Sequence, residues 1–241
     1  LDVTKISFGV LPLVLNSYEV LDSGAALGKG VGPLLISKKP RSVESIRHLT
    51  VALPGEHTTA HVLFSMAFPH VTSKIFLRYD EIEDFVMNVE NALGVIIHEN
   101  RFTYQDKGLF ALMDLGNFWE INTGLAIPLG GILIKRTIPW HISLRVEKLI
   151  HESIQHAYNA YPVLSPFVKQ HAQQMNDTIM RKHIDLYVNS FSLSLSNEGR
   201  TAINTFLNVH RRVMNVNVVT DNNIFLADDD RSDDRSLQKN E

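Results

Sequence analysis

The hydrophobic positions in the first part of the chain form short strand-like runs followed by one helical pattern. Apolar runs at residues 3–10, 32–37 and 49–53 predict three strands, the second of them after a glycine-rich turn at residues 24–32. Helically spaced apolar residues begin near residue 56, so a helix is expected directly after the third strand.

The middle of the chain continues this alternation of strands and helices. Residues 75–79 predict a strand, and Asp80 with Glu83 three positions later predicts the capped start of a helix. The continuous apolar run at residues 93–97 is typical of a strand buried on both faces in a parallel sheet. Strand and helix alternation in so short a stretch favours βαβ units with right-handed crossovers.

One more buried strand is predicted at residues 129–135, and helical periodicity dominates afterwards, at residues 146–158, 177–188 and 197–213. This order predicts an α/β protein of two lobes with a ligand cleft between them. The expected division is residues 1–48 plus 138–225 for lobe 1, residues 49–137 for lobe 2, and residues 226–241 for a disordered acidic tail.

The composition narrows the possible functions mainly by exclusion. The 241 residues are 44% hydrophobic and 20% charged, as in an ordinary globular protein, and their net charge of -3 gives no reason to expect a nucleic-acid or membrane partner. The absence of cysteine excludes disulfides and thiolate catalysis. No apolar run is long enough to span a bilayer and no secretion signal is present, so a cytoplasmic location is expected. Because the chain starts with Leu1, we expect a trimmed or incomplete N-terminus.

His98 is the candidate catalytic residue because it directly follows the buried strand at residues 93–97. Ligands of open α/β sheets gather at the carboxyl ends of strands, and an imidazole can act as a general base near neutral pH. The alternative is a structural histidine bonded to the backbone of its loop.

Two further segments are candidate binding elements. Thr58, Thr59 and Ala60 open a predicted helix, whose N-terminal N–H groups attract carboxylate or phosphate; the alternative is that the threonines only cap the helix. On the first strand, Ser7 and Lys5 could reach polar and anionic groups of a ligand, although strand residues of these types commonly face solvent.

The candidate motifs for metal or nucleotide binding are either wrongly spaced or incomplete. His151 and His156 lie five residues apart, so they point to different faces of a helix and cannot share zinc as an i, i+4 pair does. His57 and His61 have the right spacing but lack a third ligand nearby. The glycine-rich segment at residues 24–30 is one residue short of a phosphate-binding loop. We therefore expect no metal and no cofactor.

Five segments that follow one another along the chain resemble the 1,4-dihydroxy-6-naphthoate synthase family of menaquinone biosynthesis. They are Ser-Gly-Ala-Ala-Leu-Gly-Lys-Gly-Val-Gly-Pro-Leu at 23–34, Pro-Gly-Glu-His-Thr-Thr-Ala at 54–60, Ile-Ile-His-Glu-Asn-Arg-Phe-Thr-Tyr at 96–104, Thr-Gly-Leu-Ala-Ile-Pro-Leu-Gly at 123–130 and Tyr-Val-Asn-Ser-Phe-Ser-Leu at 187–193. The match extends to about residue 213.

The resemblance implies a fold like that of type II periplasmic binding proteins, with the active site between the lobes. It implies a lyase that converts cyclic dehypoxanthine futalosine, a small carboxylated molecule, to 1,4-dihydroxy-6-naphthoate, with His98 as the catalytic base. Substrate contacts are implied for Lys5, Ile6, Ser7, Thr58, Thr59 and Ala60. The protein is expected to be a monomer or homodimer.

Two alternatives remain, and one feature of the family is missing. Chorismate dehydratase shares the fold and the pathway, although the segment at 96–104 favours the synthase; a solute-binding protein without catalytic activity is the second alternative. The family normally starts with a strand and helix bearing a Ser-Pro-Cys-Pro-Asn-Asp-Thr-Phe-like segment beside the cleft, which this sequence does not contain. Part of the cleft wall is therefore expected to be missing from this chain.

Overall fold

The computed structural model of the protein describes residues 1–98, 100–172, 176–215 and 223–226. Its strands are β1 Val3–Ser7, β2 Tyr18–Val20, β3 Ala26–Gly28, β4 Leu34–Ser37, β5 Thr50–Leu53, β6 Lys74–Phe76, β7 Ala92–Ile96, β8 Phe110–Asp114 and β9 Ile127–Lys135. Its α-helices are α1 Leu11–Val14, α2 Thr59–Ala67, α3 Ile82–Asn88, α4 Asn100–Thr103, α5 Leu115–Thr123, α6 Trp140–Ala160, α7 Pro166–His171, α8 Asp177–Tyr187, α9 Ser190–Leu193 and α10 Ser196–Met214.

The strands form two separate sheets. In the first sheet β9 pairs antiparallel with β1, β2 and β3, and helices α2, α5 and α10 pack together beside it. Phe8, Trp119 and Phe206 are fully buried in the core of this region, where Trp119 Nε1 donates to the carbonyl of Ala126 at 3.1 Å. A large aromatic side chain buries more apolar area than an aliphatic one, so these three residues contribute strongly to holding the elements together.

The second sheet has the order β6-β5-β7-β4-β8. All five residues of β7 are buried, as its continuous apolar run predicted. The expected parallel sheet is only partly correct, because β5 pairs parallel with β6 and β7 while β4 pairs antiparallel with β7 and β8. Since β5 and β7 are parallel, their carboxyl ends lie at the same edge of the sheet. The turn before α2 comes directly after β5 at this edge, and His98 comes shortly after β7.

The expected lobe boundaries placed two strands in the wrong lobe, because each strand pairs with the sheet of the other lobe. Leu34–Ser37 belongs to the second sheet because it pairs with β7 and β8, whereas the expected boundary at 48 placed it in lobe 1. Ile127–Lys135 belongs to the first sheet because it pairs with all of that sheet's other strands, whereas the boundary at 137 placed it in lobe 2. The chain therefore passes between the sheets in the segments 29–33 and 115–126.

The predicted helices are present, with one corrected start. A 3₁₀ turn at Tyr79–Glu81 precedes α3, and Arg78 binds the carboxylate of Asp80 at 2.7 Å, so Asp80 does not cap the helix with Glu83. The Glu81 carboxylate instead accepts the N–H of Arg78 at 3.2 Å. The elements missing from the prediction are the strands β2, β3 and β8 and the helices α1, α4, α5, α7 and α9.

Most of the predicted acidic tail lies outside the described residues. Its first residue, Leu226, is buried, and its N–H donates to the carbonyl of Val20 at 2.9 Å, so at this position the expectation of disorder was wrong. In the part of the chain that the structure describes, no helix is both long and apolar enough to cross a membrane.

Candidate active site

A cavity of about 480 Å³ lies between the two sheets and is closed on one side by α8. Its walls include every site residue expected from the sequence: Lys5, Ile6, Ser7, Thr58, Thr59, Ala60 and His98. These residues come from three distant parts of the chain, and the fold brings them to one cleft. The arrangement is compatible with the binding of one small molecule by all of them together.

Thr58 is the N-cap of α2. Its Oγ1 accepts the N–H of His61 at 3.2 Å and donates to the carbonyl of Gly55 at 2.8 Å. Gly55 has φ +136°, a backbone conformation that L side chains rarely adopt, so a glycine is required at this turn. The capping alternative is therefore correct for the hydroxyl of Thr58, while the residue itself still lines the cleft.

Thr59 is buried and ties β1, β9 and α2 together. Its N–H donates to Ser7 Oγ at 3.1 Å, and its own hydroxyl donates to the carbonyl of Pro128 at 3.0 Å. Gly130 lies beside this junction, where a Cβ atom would come within 2.6 Å of the carbonyl oxygen of Ile6. These close contacts fix the start of α2 against the first sheet.

Another part of the cleft wall is suited to an anion. The first N–H groups of a helix have no partner within the helix and carry a partial positive charge, and Ala60 places this end of the nine-residue α2 at the cleft. Lys5 lines the same cavity and has no ion-pair partner among the described residues. Much of its side chain is accessible from the open cleft, yet surrounding protein atoms desolvate the ammonium and lower its pKa. A ligand carboxylate would supply the missing counter-charge.

His98 stands immediately beyond the carboxyl end of β7, separated from it by Ile97. Its φ of +56° lies in the left-handed region, which costs free energy for a residue with a Cβ. Its ring meets the ring of Tyr79 edge to face, with centroids 5.3 Å apart and an interplanar angle of 76°. Strained backbone of this kind is concentrated at functional sites, so the observed outlier is consistent with a catalytic role for His98.

The polar segment after His98 mainly anchors its loop. Asn100 donates to the buried carboxylate of Glu83 at 2.7 Å. Arg101 donates to the carbonyl of Gly32 and pairs with Asp114 at 3.3 Å. These bonds join the loop to the segment where the chain passes between the sheets, and thereby hold the position of His98.

The cavity also contains residues that the sequence did not identify, namely Tyr79, His183 and Tyr187. The ring centroids of His98 and His183 are 6.3 Å apart, and those of His183 and Tyr187 are 4.6 Å apart. The i, i+4 spacing of His183 and Tyr187 was visible in the sequence and places them on one helix face. Nothing in the sequence indicated that this face covers the cleft.

Two buried histidines lie behind the cleft on α2 and α10. His61 Nδ1 is 2.7 Å from the carbonyl oxygen of Glu56 and its Nε2 is 3.5 Å from Lys74 Nζ, while His210 Nε2 is 3.2 Å from the carbonyl oxygen of Gly9. Burial lowers the pKa of His61, and the positive charge of Lys74 lowers it further. Burial also lowers the pKa of His210. Both are therefore held neutral in the fold.

Protonation of these histidines is expected to destabilise the protein at mildly acidic pH. Because the folded-state pKa of His61 lies below its unfolded value of about 6.5, stability is complete above that value and decreases as the pH falls through it. We expect His61→Asn, which keeps a donor for the carbonyl of Glu56, to flatten the decrease in Tm between about pH 7.5 and 5. The same change at the exposed His141 serves as the control and is expected to leave the slope unchanged. Equal slopes for all three proteins would contradict this assignment.

Metal binding has no support in the described ranges, where no group of three or more histidine, aspartate or glutamate side chains is placed to hold an ion.

Comparisons with known proteins identify relatives over most of the chain. Residues 1–212 match a family model described as menaquinone biosynthesis. A 1,4-dihydroxy-6-naphthoate synthase of Thermus thermophilus is 37% identical over 84% of this chain and 74% of that protein. An enzyme of the same name from Streptomyces coelicolor is 38% identical over 86% of this chain and 74% of that protein.

The solved structures support the fold expected from the resemblance. A protein from Archaeoglobus fulgidus superimposes with a TM-score of 0.82 at 25% identity, over 89% of this chain and 80% of that one. A Candida albicans protein described as having the generic periplasmic binding protein fold gives a TM-score of 0.54 at 10% identity, over 95% of this chain and 81% of that one. The predicted α/β fold of the periplasmic-binding-protein type is thus confirmed.

Proposed function

Because the chain belongs to the menaquinone biosynthesis family, we propose that it is a carbon–carbon lyase that converts cyclic dehypoxanthine futalosine to 1,4-dihydroxy-6-naphthoate. The observation that carries the proposal is the cleft that brings His98 together with Lys5 and the N-terminus of α2. A base and an anion-binding surface in one cleft are what a carboxylated substrate of this kind requires.

The substrate carboxylate is held by Lys5 and the first turn of α2. The ammonium supplies a full positive charge, and the helix N-terminus supplies a partial charge of the same sign and the N–H of Ala60, since the N–H groups of Thr59 and His61 are already bonded to Ser7 and Thr58. Ser7 Oγ accepts the N–H groups of Thr59 and Gly9, and its proton would turn from Thr59 Oγ1, 3.4 Å away, to a substrate hydroxyl. Binding at several points orients the substrate against His98 before any bond changes.

His98 acts as the general base. In this mechanism neutral His98 removes the proton from a substrate hydroxyl, and that oxygen becomes the carbonyl of the departing sugar-derived fragment. The carbon–carbon bond breaks, and its electron pair enters the ring system, which becomes aromatic. Aromatisation drives the step, and a positioned base contributes about 10²- to 10⁴-fold to such a reaction.

The proposal is tested by incubating the purified full chain with cyclic dehypoxanthine futalosine and, separately, with chorismate, followed by mass spectrometry of the products. Release of dihydroxynaphthoate and a small sugar-derived fragment is the expected result. Turnover of chorismate alone would identify a dehydratase, and binding without any conversion would identify a solute-binding protein. A parallel reaction with a chelator, with no nucleotide added, checks the expectation that no cofactor is required.

A further inference from the structure

A second imidazole lies beside that of His98 in the cleft. His183 is on α8 and lines the same cavity, and its ring centroid is 6.3 Å from that of His98. His98 follows a strand of the second sheet, whereas α8 contacts β3 of the first sheet. The two imidazoles therefore come from different sides of the fold but lie next to each other, so neighbouring atoms of one bound molecule can contact both.

The ring of His183 is held in a row of aromatic contacts. Tyr79 meets His98 on one side, and Tyr187 lies one helical turn from His183, with ring centroids 4.6 Å apart. Tyr187 lines the cavity as well. The result is a continuous row of rings from the second sheet to α8, in which the two histidines are the central pair.

The chemistry of the proposed reaction needs a proton at a second position. The base takes a proton from one oxygen, while the electron pair of the broken carbon–carbon bond displaces the π pair of a ring carbonyl onto its oxygen, which becomes a phenol in the product. A base that is taking up one proton cannot deliver another during the same step. A separate donor beside that oxygen lowers the barrier by neutralising it as its charge develops.

We propose that His183 is a second catalytic residue, the general acid that protonates the ring oxygen as the carbon–carbon bond breaks. This inference rests on the proposed function. Protons and electrons balance within the step: His98 gains the hydroxyl proton, the O–H electron pair forms the new carbonyl, the carbon–carbon pair forms a double bond in the ring, the π pair of the ring carbonyl moves onto its oxygen, and His183 gives one proton to that oxygen. One proton then returns from His98 to His183, directly or through water in the cleft, and no oxidant or reductant is needed.

Other titratable groups face His183 and have to be separated from it in any experiment. They are His98 after β7, Tyr187 on α8 and Lys5 on β1. Lys5 and His183 together line this cavity and an adjoining groove. Burial lowers the pKa of Lys5, so this residue also changes charge below its ordinary range. Since Lys5 binds the carboxylate, its titration is expected in KM, whereas that of a general acid is expected in kcat.

The test compares His183→Gln with the unmutated enzyme, with Lys182→Gln as a matched control because Lys182 is exposed on the same helix. We expect His183→Gln to lower kcat by about 100- to 1,000-fold, with KM changed by less than about threefold. The kcat of the unmutated enzyme should decrease on the alkaline side of its pH profile, and this decrease should be absent from His183→Gln. Lys182→Gln should retain both kcat and the profile.

Different outcomes separate the failure of this inference from that of the proposed function. If the unmutated enzyme yields no dihydroxynaphthoate, the proposed function is wrong and the assignment of His183 is overturned with it. If it does, a kcat of His183→Gln within about twofold of the unmutated value would overturn only the role of His183. An increase in KM alone, with weaker product binding, would show a binding residue and would also overturn it. A melting curve for each variant shows that it is folded.

Discussion

Replacement of His98 with asparagine is expected to lower the rate of conversion at least about 100-fold while the protein stays folded. Loss of the general base should lower kcat by about 10²- to 10⁴-fold, which is the usual contribution of a positioned base. Asparagine is the informative replacement since it adopts the left-handed conformation more readily than most residues, and His98 has φ +56°. Stability should therefore be unchanged or slightly higher in this variant.

The measurement combines kcat from product formation with Tm from thermal unfolding. His70→Asn, which replaces an exposed histidine that does not line the cavity, is the control for a general effect of removing an imidazole. Lower activity together with equal or higher stability is the expected signature of a residue whose strain serves function. Conversion by His98→Asn at the unmutated rate would refute the base assignment.

The sequence was sufficient to locate most elements but not their pairing. Continuous apolar runs identified β7 and β9, and helical spacing identified α8 and α10, because these signals are local. Which sheet a strand joins depends on residues far apart in the sequence, and so the assignments of Leu34–Ser37 and Ile127–Lys135 were wrong. Short edge strands such as Tyr18–Val20 were not predicted, since three residues carry too little periodicity.

The same distinction applies to the site. His98 could be found because the end of a buried strand is a recognisable position, and Lys5 and Thr59 because their segments resemble a family. His183 and Tyr187 were missed because their importance depends on how α8 is placed over the cleft, which no local pattern encodes. Residues contributed by an element packed over a site are thus the ones that require a structure to be identified.

A substitution at Gly9 can test whether the site depends on close packing of the backbone. It follows the binding segment of β1, and a Cβ atom at this position would lie 2.5 Å from the carbonyl carbon of Thr58 and 2.8 Å from that of His57. Its own carbonyl accepts from His210 Nε2 at 3.2 Å. The backbone of β1 and the start of α2 can approach this closely only because residue 9 has no side chain.

We expect Gly9→Ala to destabilise the protein by about 1–3 kcal/mol, because the obstructing atoms are backbone and cannot rotate away. This corresponds to a decrease in Tm of about 3–10 °C for a chain of this size. The separation of Thr58 and Ser7 that relieves the clash would also pull the helix N-terminus away from Lys5, so KM should rise. Gly199→Ala is the matched control, since its new Cβ would meet only the side chains of Leu195 and Phe191, both at 3.2 Å. An unchanged Tm and KM for Gly9→Ala would show that α2 is not held against β1 as described, and the anion-binding role of its N-terminus would lose its structural basis.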